Sequence, residues 1–410
     1  MLCDLLPKSY PEHLAHPLLG SVLDQFDDWL IAQGYRFNSR QCYVLRCTAI
    51  EAYFHRRKQH SLGSLTPRSL TRCWQYYRHR PGGISATVGC LQRFLQEQQI
   101  LPVSEPLVDG PFAATVDAYC QHLLDVRGLA RNTIEQHRVT ACQLVQHQLA
   151  MDGAFRLVDL TQARIERFVV DAGRRYGRGT LQHVVAQVRG LVRFLAMHGE
   201  VTVGLDRQID TPRVYRLEQL PRALQWNTVR ALLETIDRTT ACGLRDYAMF
   251  LLIATYGLRG CDVAGLTLND IDWRAGELHV HQAKTSQPLS FPLTDPVAEA
   301  LLAYVRDARP PVKFRQVFIT APAPLLPIKR QAVGYAFRRR VQYSGLDIRY
   351  RGVHCLRHSY ALHLLREGVA LKTIGDLLGH RSTQSTCVYL RLDLDDLREV
   401  ALPLPAEASS

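Results

Sequence analysis

Apolar residues recur at helical spacing along nearly all of this chain, and strand-like alternation is confined to one stretch, Glu277 to Pro292. A chain patterned this way buries its apolar surface by packing helix against helix, with room for one small antiparallel sheet. The expected fold class is therefore mainly α. At 410 residues the chain exceeds what one core holds, because single cores stop growing near roughly 250–300 residues. Several domains are expected.

Residues 1–103 read as a four-helix module. Val22, Phe26, Trp29 and Leu30 make one stripe, and a second helix runs from Gln41 to Arg56 after the polar break at 36–39. Thr66-Pro67 starts a third with Pro in its first turn, and Ser85 to Gln98 forms the fourth. Residues 106–203 repeat that order: a helix through Val116, Tyr119 and Leu123, a long one ending near Gln148, then Asp159-Leu160-Thr161 where the first module has Leu65-Thr66-Pro67. Val188 to Leu195 echoes Val88 to Leu95. The echo reads as two copies of one four-helix module, over the alternative that two bundles of this length merely look alike. The Pro-punctuated stretches 102–111 and 210–221 read as joints. Residues 219–410 then form a third, mostly α domain containing the single hairpin.

The formal charge of +12 and the pI near 9.3, carried by Arg far more than Lys, suit bidentate contacts to phosphate and point to a polyanionic partner. The 11 cysteines are odd in number and hold no C-x-x-C pair, so neither a disulfide framework nor a zinc site is expected. The N-terminus lacks a basic, long-apolar leader, and no apolar run approaches the roughly 20 residues of a membrane span. A soluble, cytoplasmic protein is expected.

The chemistry-bearing residues lie in the last domain. Arg259 sits between Gly257 and Gly260, with Asp262 one turn on, placed to fix it. His354 and Arg357, at i and i+3, lean to one part of a helix face, whereas His358 and His363 on the same helix read as structural histidines. Gly379 is a left-handed helix stop that throws His380 past the helix end. Ser382 or Thr383 caps a further helix whose last turn holds Tyr389, with Val388 and Leu390 packing so as to leave the phenol free. Lys284 falls at the hairpin tip. Together these offer a nucleophile (Tyr389), a cationic clamp for two non-bridging phosphate oxygens (Arg259, Arg357) and a proton donor for a departing alkoxide, the set needed for attack on a phosphodiester.

Arg259, Lys284, His354, Arg357, His380 and Tyr389, in this order, resemble the signature of the tyrosine recombinase (phage integrase) family. Gly257 to Asp262 is similar to its first arginine box, His354-x-x-Arg357 to its second, and Leu377-Leu378-Gly379-His380 leading to Tyr389 to its third. The resemblance implies a site-specific recombinase in which Tyr389 attacks the scissile phosphate to give a 3′-phosphotyrosine and a free 5′-hydroxyl. Arg259, Arg357 and His380 would hold the phosphate oxygens, His354 would assist removal of the phenol proton, and Lys284 would protonate the leaving oxygen. The resemblance also implies that no cofactor, metal or ATP is needed. It further implies a tetramer working through a four-way Holliday junction on double-stranded DNA with inverted-repeat core sites, alone or with other recombinases of one mobile element.

By the same resemblance, 106–203 is a core-binding, SAM-like DNA-binding domain, with Arg131, Arg138, Arg174, Arg175, Arg178 and Arg189 available to phosphates. Residues 393–405 resemble tails that dock on a neighbouring protomer; packing on the same domain is the equal alternative. Residues 1–103 depart from the small β-rich arm domain of many integrases and are left either to grip extra DNA or to link protomers. Two other functions are compatible with the same residues: a type IB topoisomerase, which uses the same phosphotyrosine chemistry, and an architectural DNA-binding subunit in which the site is retained but unused.

Overall fold

The computed structural model describes residues 2–7, 9–102, 111–153, 155–215, 222–284, 287–321, 323–350 and 352–392. By packing, the chain divides into two compact units, 1–51 with 219–410, and 52–218. The described residues are mostly helical with one three-stranded antiparallel sheet, as the sequence pattern requires.

In unit 52–218, helices Pro67–Tyr77, Ile84–Glu97, Pro111–Asp125, Arg131–Asp152, Gln162–Gly173 and Arg178–Met197 are built on separate apolar stripes. The Thr66 hydroxyl accepts from the Ser69 N–H while the Ser69 hydroxyl oxygen accepts from the Thr66 N–H, a reciprocal cap that fixes the start of the first of these helices, with Pro67 in its first turn. Tyr119, Val145, Ile165, Phe168, Val185, Leu191 and Leu195 pack one core from four helices. Each is fully or almost fully buried, and burial of side chains this large is the main source of stability.

In the other unit, the N-terminal helices tie back to the 219–410 part by main chain: the Leu325 N–H donates to the Gln33 carbonyl at 3.2 Å. Helix Phe37–His55 begins four residues earlier than the polar break suggests, and Arg40 from its first turn grips the fully buried Asp27 carboxylate with two hydrogen bonds of 2.7 and 2.6 Å. This anchored charge pair is why the polar residues join the helix.

The centre of the 219–410 part is helix Ala241–Tyr256, buried on nearly all sides through Met249, Phe250, Leu252 and Ile253. It packs against helices Asp295–Asp307 and His354–Arg366. The sheet comprises β1 (Ile271–Asp272), β2 (Glu277–His281) and β3 (Pro288–Pro292) in the order β1-β2-β3. Leu278 faces Phe291, and Val280 faces Leu289. Leu278, Val280 and Phe291 are buried against the helices, the period-2 consequence of one covered face.

Candidate active site

The site begins where helix Ala241–Tyr256 stops. Gly257 takes φ +64°, and a Cβ there would lie 2.5 Å from Leu378 and 2.7 Å from Tyr360, so conformation and space both require glycine. The turn delivers Arg259 as the N-cap residue of helix Gly260–Gly265. Its Nη1 donates to Gln282 Oε1 at 2.7 Å. Asp262 Oδ2 lies 4.0 Å from that nitrogen, within ion-pair range but beyond hydrogen bonding, while Oδ1 accepts from the Ala283 N–H at 3.0 Å. Asp262 thus holds the hairpin base as well as the guanidinium. Gln282 completes the tie: its Nε2 donates to the Leu378 carbonyl at 3.0 Å.

Arg357 is buried, 2% exposed. Its Nη1 donates to the Gly257 carbonyl at 2.6 Å and its Nη2 to the Leu378 carbonyl at 2.8 Å. Both carbonyls end helices, where the helix dipole is negative, so a buried cation is stabilised there. Burial, with Arg259 adding repulsion, lowers the Arg357 pKa to about 10. The guanidinium stays charged at neutral pH.

Gly379, at φ +61°, ends helix Leu371–Leu378 and turns His380 inward. Arg357 Nη2 lies 3.0 Å from His380 Nε2. Because arginine can only donate, Nε2 accepts, and His380 carries its proton on Nδ1, 2.9 Å from the Thr386 hydroxyl. His354 opens helix His354–Arg366, and its ring meets that of His358 edge-on at 4.6 Å.

Tyr389 lies in a short 3₁₀ segment, Cys387–Leu392, instead of the end of an α-helix. The expectation of a free phenol is corrected: Tyr389 is 2% exposed and packs with Ala361, Ile374 and Leu378, while Leu390 points to solvent. The tighter 3₁₀ winding turns position 389 inward, and its hydroxyl sits 3.2 Å from His358 Nδ1. Burial raises the Tyr389 pKa, against the opposing pull of Arg357. The phenol is therefore neutral at pH 7 in the DNA-free protein.

Arg259, His354, Arg357, His380 and Tyr389 line one cavity of about 800 Å³, with Lys284 exposed on its wall. Two contributors were not recognised in the sequence. Gln282 is the third inward position of the alternation Leu278, Val280, Gln282, a signal that was available. His358 was read as structural, yet it is i+4 from His354 and touches the phenol; His363 is structural, stacked on Trp226 at 4.2 Å. Replacing Gln282 with Leu leaves Arg259 and the Leu378 carbonyl without these bonds. The strand cleavage that the resemblance implies should slow roughly 10- to 100-fold, the scale of one charge-assisted hydrogen bond, with DNA affinity nearly unchanged; single-turnover cleavage and binding titrations check this.

The three imidazoles are held neutral. Burial lowers His354 and His380 to about 4 and His358 to about 3, and surrounding Arg charges push the same way. In the unfolded chain they titrate near 6.5, so between about pH 4 and 6.5 the unfolded state binds more protons and stability rises with pH. Urea unfolding should show stability falling as pH drops from 7 to 5, and His358→Phe should flatten that slope.

Among the proposed DNA-contacting arginines, Arg131, Arg174, Arg175 and Arg178 are exposed. Arg174 pairs with Asp171 at 3.2 Å, Arg138 forms an ion pair with Asp117, and Arg189 donates to the Ile209 carbonyl. Residues 393–405, expected to dock in trans, lie outside the described residues. Among the described residues, no group of three or more His, Cys, Asp or Glu could hold a metal ion, and no helix is long and apolar enough to cross a membrane.

Residues 222–395 match the phage integrase family. A Sinorhizobium fredii protein named as an integrase/recombinase is 33% identical, covering 93% of this chain and 94% of its own. Tyrosine recombinase XerD of Corynebacterium glutamicum is 29% identical, covering 68% of this chain and 93% of its own. Among solved structures, XerH site-specific recombinase bound to palindromic difH substrate, a post-cleavage complex, matches with a TM-score of 0.55 over 70% of this chain and 82% of that one, at 18% identity. The chain belongs to the tyrosine recombinase (phage integrase) family, and its enzymatic class is that of a site-specific DNA recombinase.

Proposed function

We propose that this site exchanges DNA strands through a covalent intermediate on Tyr389. The observation that carries the reading is the convergence of Arg259, His354, Arg357, His380 and Tyr389 on one cavity with Lys284 on its wall. The Tyr389 phenolic oxygen attacks phosphorus, the bond to the 5′-oxygen breaks, and the 3′-phosphate stays on the tyrosine. The phenol proton leaves toward the neutral imidazole pair His358 and His354, whose basicity rises once the phosphodiester brings negative charge into the cavity. Lys284 supplies the proton taken up by the 5′-oxygen.

Arg259 and Arg357 balance the charge that builds on the non-bridging oxygens; Arg357 retains N–H groups beyond those given to the two carbonyls. His380 joins them when its proton moves to Nε2, which the Thr386 hydroxyl permits by donating to Nδ1 instead of accepting. Rejoining is the same step reversed with a new 5′-hydroxyl, so the ester conserves the bond and no external energy source enters.

Two such rounds in a tetramer on paired inverted-repeat sites, passing through a Holliday junction, complete the exchange. In this reading 219–410 is the catalytic domain, and 106–203 is the core-binding domain, contacting phosphates through Arg131, Arg138, Arg174, Arg175, Arg178 and Arg189. A nicked suicide duplex carrying the cognate site tests the proposal. Protein-linked DNA in the presence of EDTA, with recombined product on intact sites, is expected. Relaxed topoisomers without product would replace recombination with topoisomerase activity, and no adduct would leave a DNA-binding role.

A further inference from the structure

Residues 52–96 contain eight Lys or Arg and no Asp or Glu, a formal +8 within a chain of net +12. The core-binding segment 106–203, by contrast, holds eleven Lys or Arg against nine Asp or Glu. The positive excess therefore lies outside the segment expected to hold the core site. The structure puts this charge on the surface: Arg56, Arg57, Lys58, Arg72, Arg78 and Arg80 are all exposed. Leu70, Cys73 and Tyr77 take the buried face of helix Pro67–Tyr77.

Aromatic rings hold several of these cations in place. Arg57 lies over the Tyr53 ring at 3.7 Å, Arg80 over Tyr76 at 3.7 Å, and Arg78 over Trp74 at 5.2 Å. Arg80 also donates to the Tyr76 hydroxyl at 2.6 Å. The Tyr53 and Tyr76 rings are 5.2 Å apart, so Arg57 and Arg80 flank one aromatic cluster. Arg72 is close enough to act electrostatically on Tyr53, and Arg56 on Tyr77.

A ring orients a guanidinium without neutralising it, unlike the carboxylates that meet Arg138 and Arg174 in the same unit. Like charges packed this densely repel, so a polyanion is the natural counter-charge. Tyr53 and Tyr77 are buried, and the exposed Trp74 ring is covered by Arg78, which leaves the rings backing the arginines instead of offering faces for unstacked bases. That favours the phosphate backbone of a duplex over a single strand.

We propose that the face formed by Arg57, Arg72, Arg78 and Arg80 is a second duplex-DNA grip, binding backbone phosphates independently of strand cleavage. Only the identity of the polyanion rests on the recombinase reading.

The test uses the full chain with all four arginines changed to Gln, and a duplex extending well beyond the cleavage site. The slope of log affinity against log salt should become shallower by about 3 to 4, at roughly 0.9 per phosphate contact. Affinity near 0.1 M salt should fall at least tenfold. The Tyr389 adduct on a saturating suicide substrate should be unchanged, and the four-Lys variant should restore the slope. The single variant Arg72→Gln, on an exposed helix face, should shift it by about 0.9 in the same direction even if the fourfold variant loses stability.

Unchanged slopes in both Gln variants would overturn the proposal. So would loss of self-association with DNA affinity intact, which would make the face a protein contact. Failure of the recombinase reading would appear separately, as absence of adduct in the unaltered protein.

Discussion

Tyr389→Phe is expected to remove covalent capture of DNA entirely while leaving the fold and DNA affinity in place. The ring that packs with Ala361, Ile374 and Leu378 is retained, and only the hydroxyl facing His358 Nδ1 is lost. Loss of the hydroxyl's hydrogen bonding, to His358 and to Arg357, should alter unfolding free energy by about 1–3 kcal/mol. Tyr360, the other tyrosine packed beside this cluster, lies on helix His354–Arg366 and does not line the cavity, so it offers no substitute nucleophile. Denaturing gels on a nicked duplex read the loss of adduct, and a urea titration reads the stability change. An adduct in the variant at the wild-type level would remove Tyr389 from the mechanism.

Arg357→Ala is expected to damage structure and chemistry together. The Gly257 and Leu378 carbonyls both lose their Arg357 donor in a buried site, at about 1–3 kcal/mol for each group left unsatisfied. Unfolding free energy should drop by roughly 2–5 kcal/mol. His380 loses the donor at Nε2 that fixes its tautomer, and the proposed reaction loses the cation that would balance charge on the pentacoordinate phosphorus. Cleavage by the folded fraction should fall by about 10³-fold, the scale of losing one preorganised donor to an oxyanion. Arg357→Lys should recover part of the stability and little of the rate, because one ammonium cannot span two carbonyls and a phosphate. Urea unfolding and single-turnover cleavage separate the two effects.

The parts of the site that are local in sequence were legible there. The glycine stops at 257 and 379, the i, i+3 pair His354 and Arg357, and the hairpin carrying Lys284 each follow from short-range geometry. The mainly α class followed from periodicity, and the start of a helix at Thr66-Pro67 from residue type; the reciprocal bond to Ser69 came from the structure. The rest depends on distant segments meeting. Gln282 matters because the Leu378 carbonyl, far along the chain, arrives beside it. His358 matters because the 3₁₀ winding of Cys387–Leu392 turns Tyr389 toward it. Asp262 was paired with Arg259 from spacing alone; it lies within ion-pair range, and its other oxygen also accepts from the Ala283 N–H, which spacing could not show.

The most direct test of the central claim is to digest the trapped protein–DNA adduct with trypsin and locate the linkage by mass spectrometry. The peptide Ser382–Arg391 contains a single tyrosine, Tyr389. A nucleotide 3′-phosphate on that residue is the predicted result, and linkage to any other side chain would contradict the account.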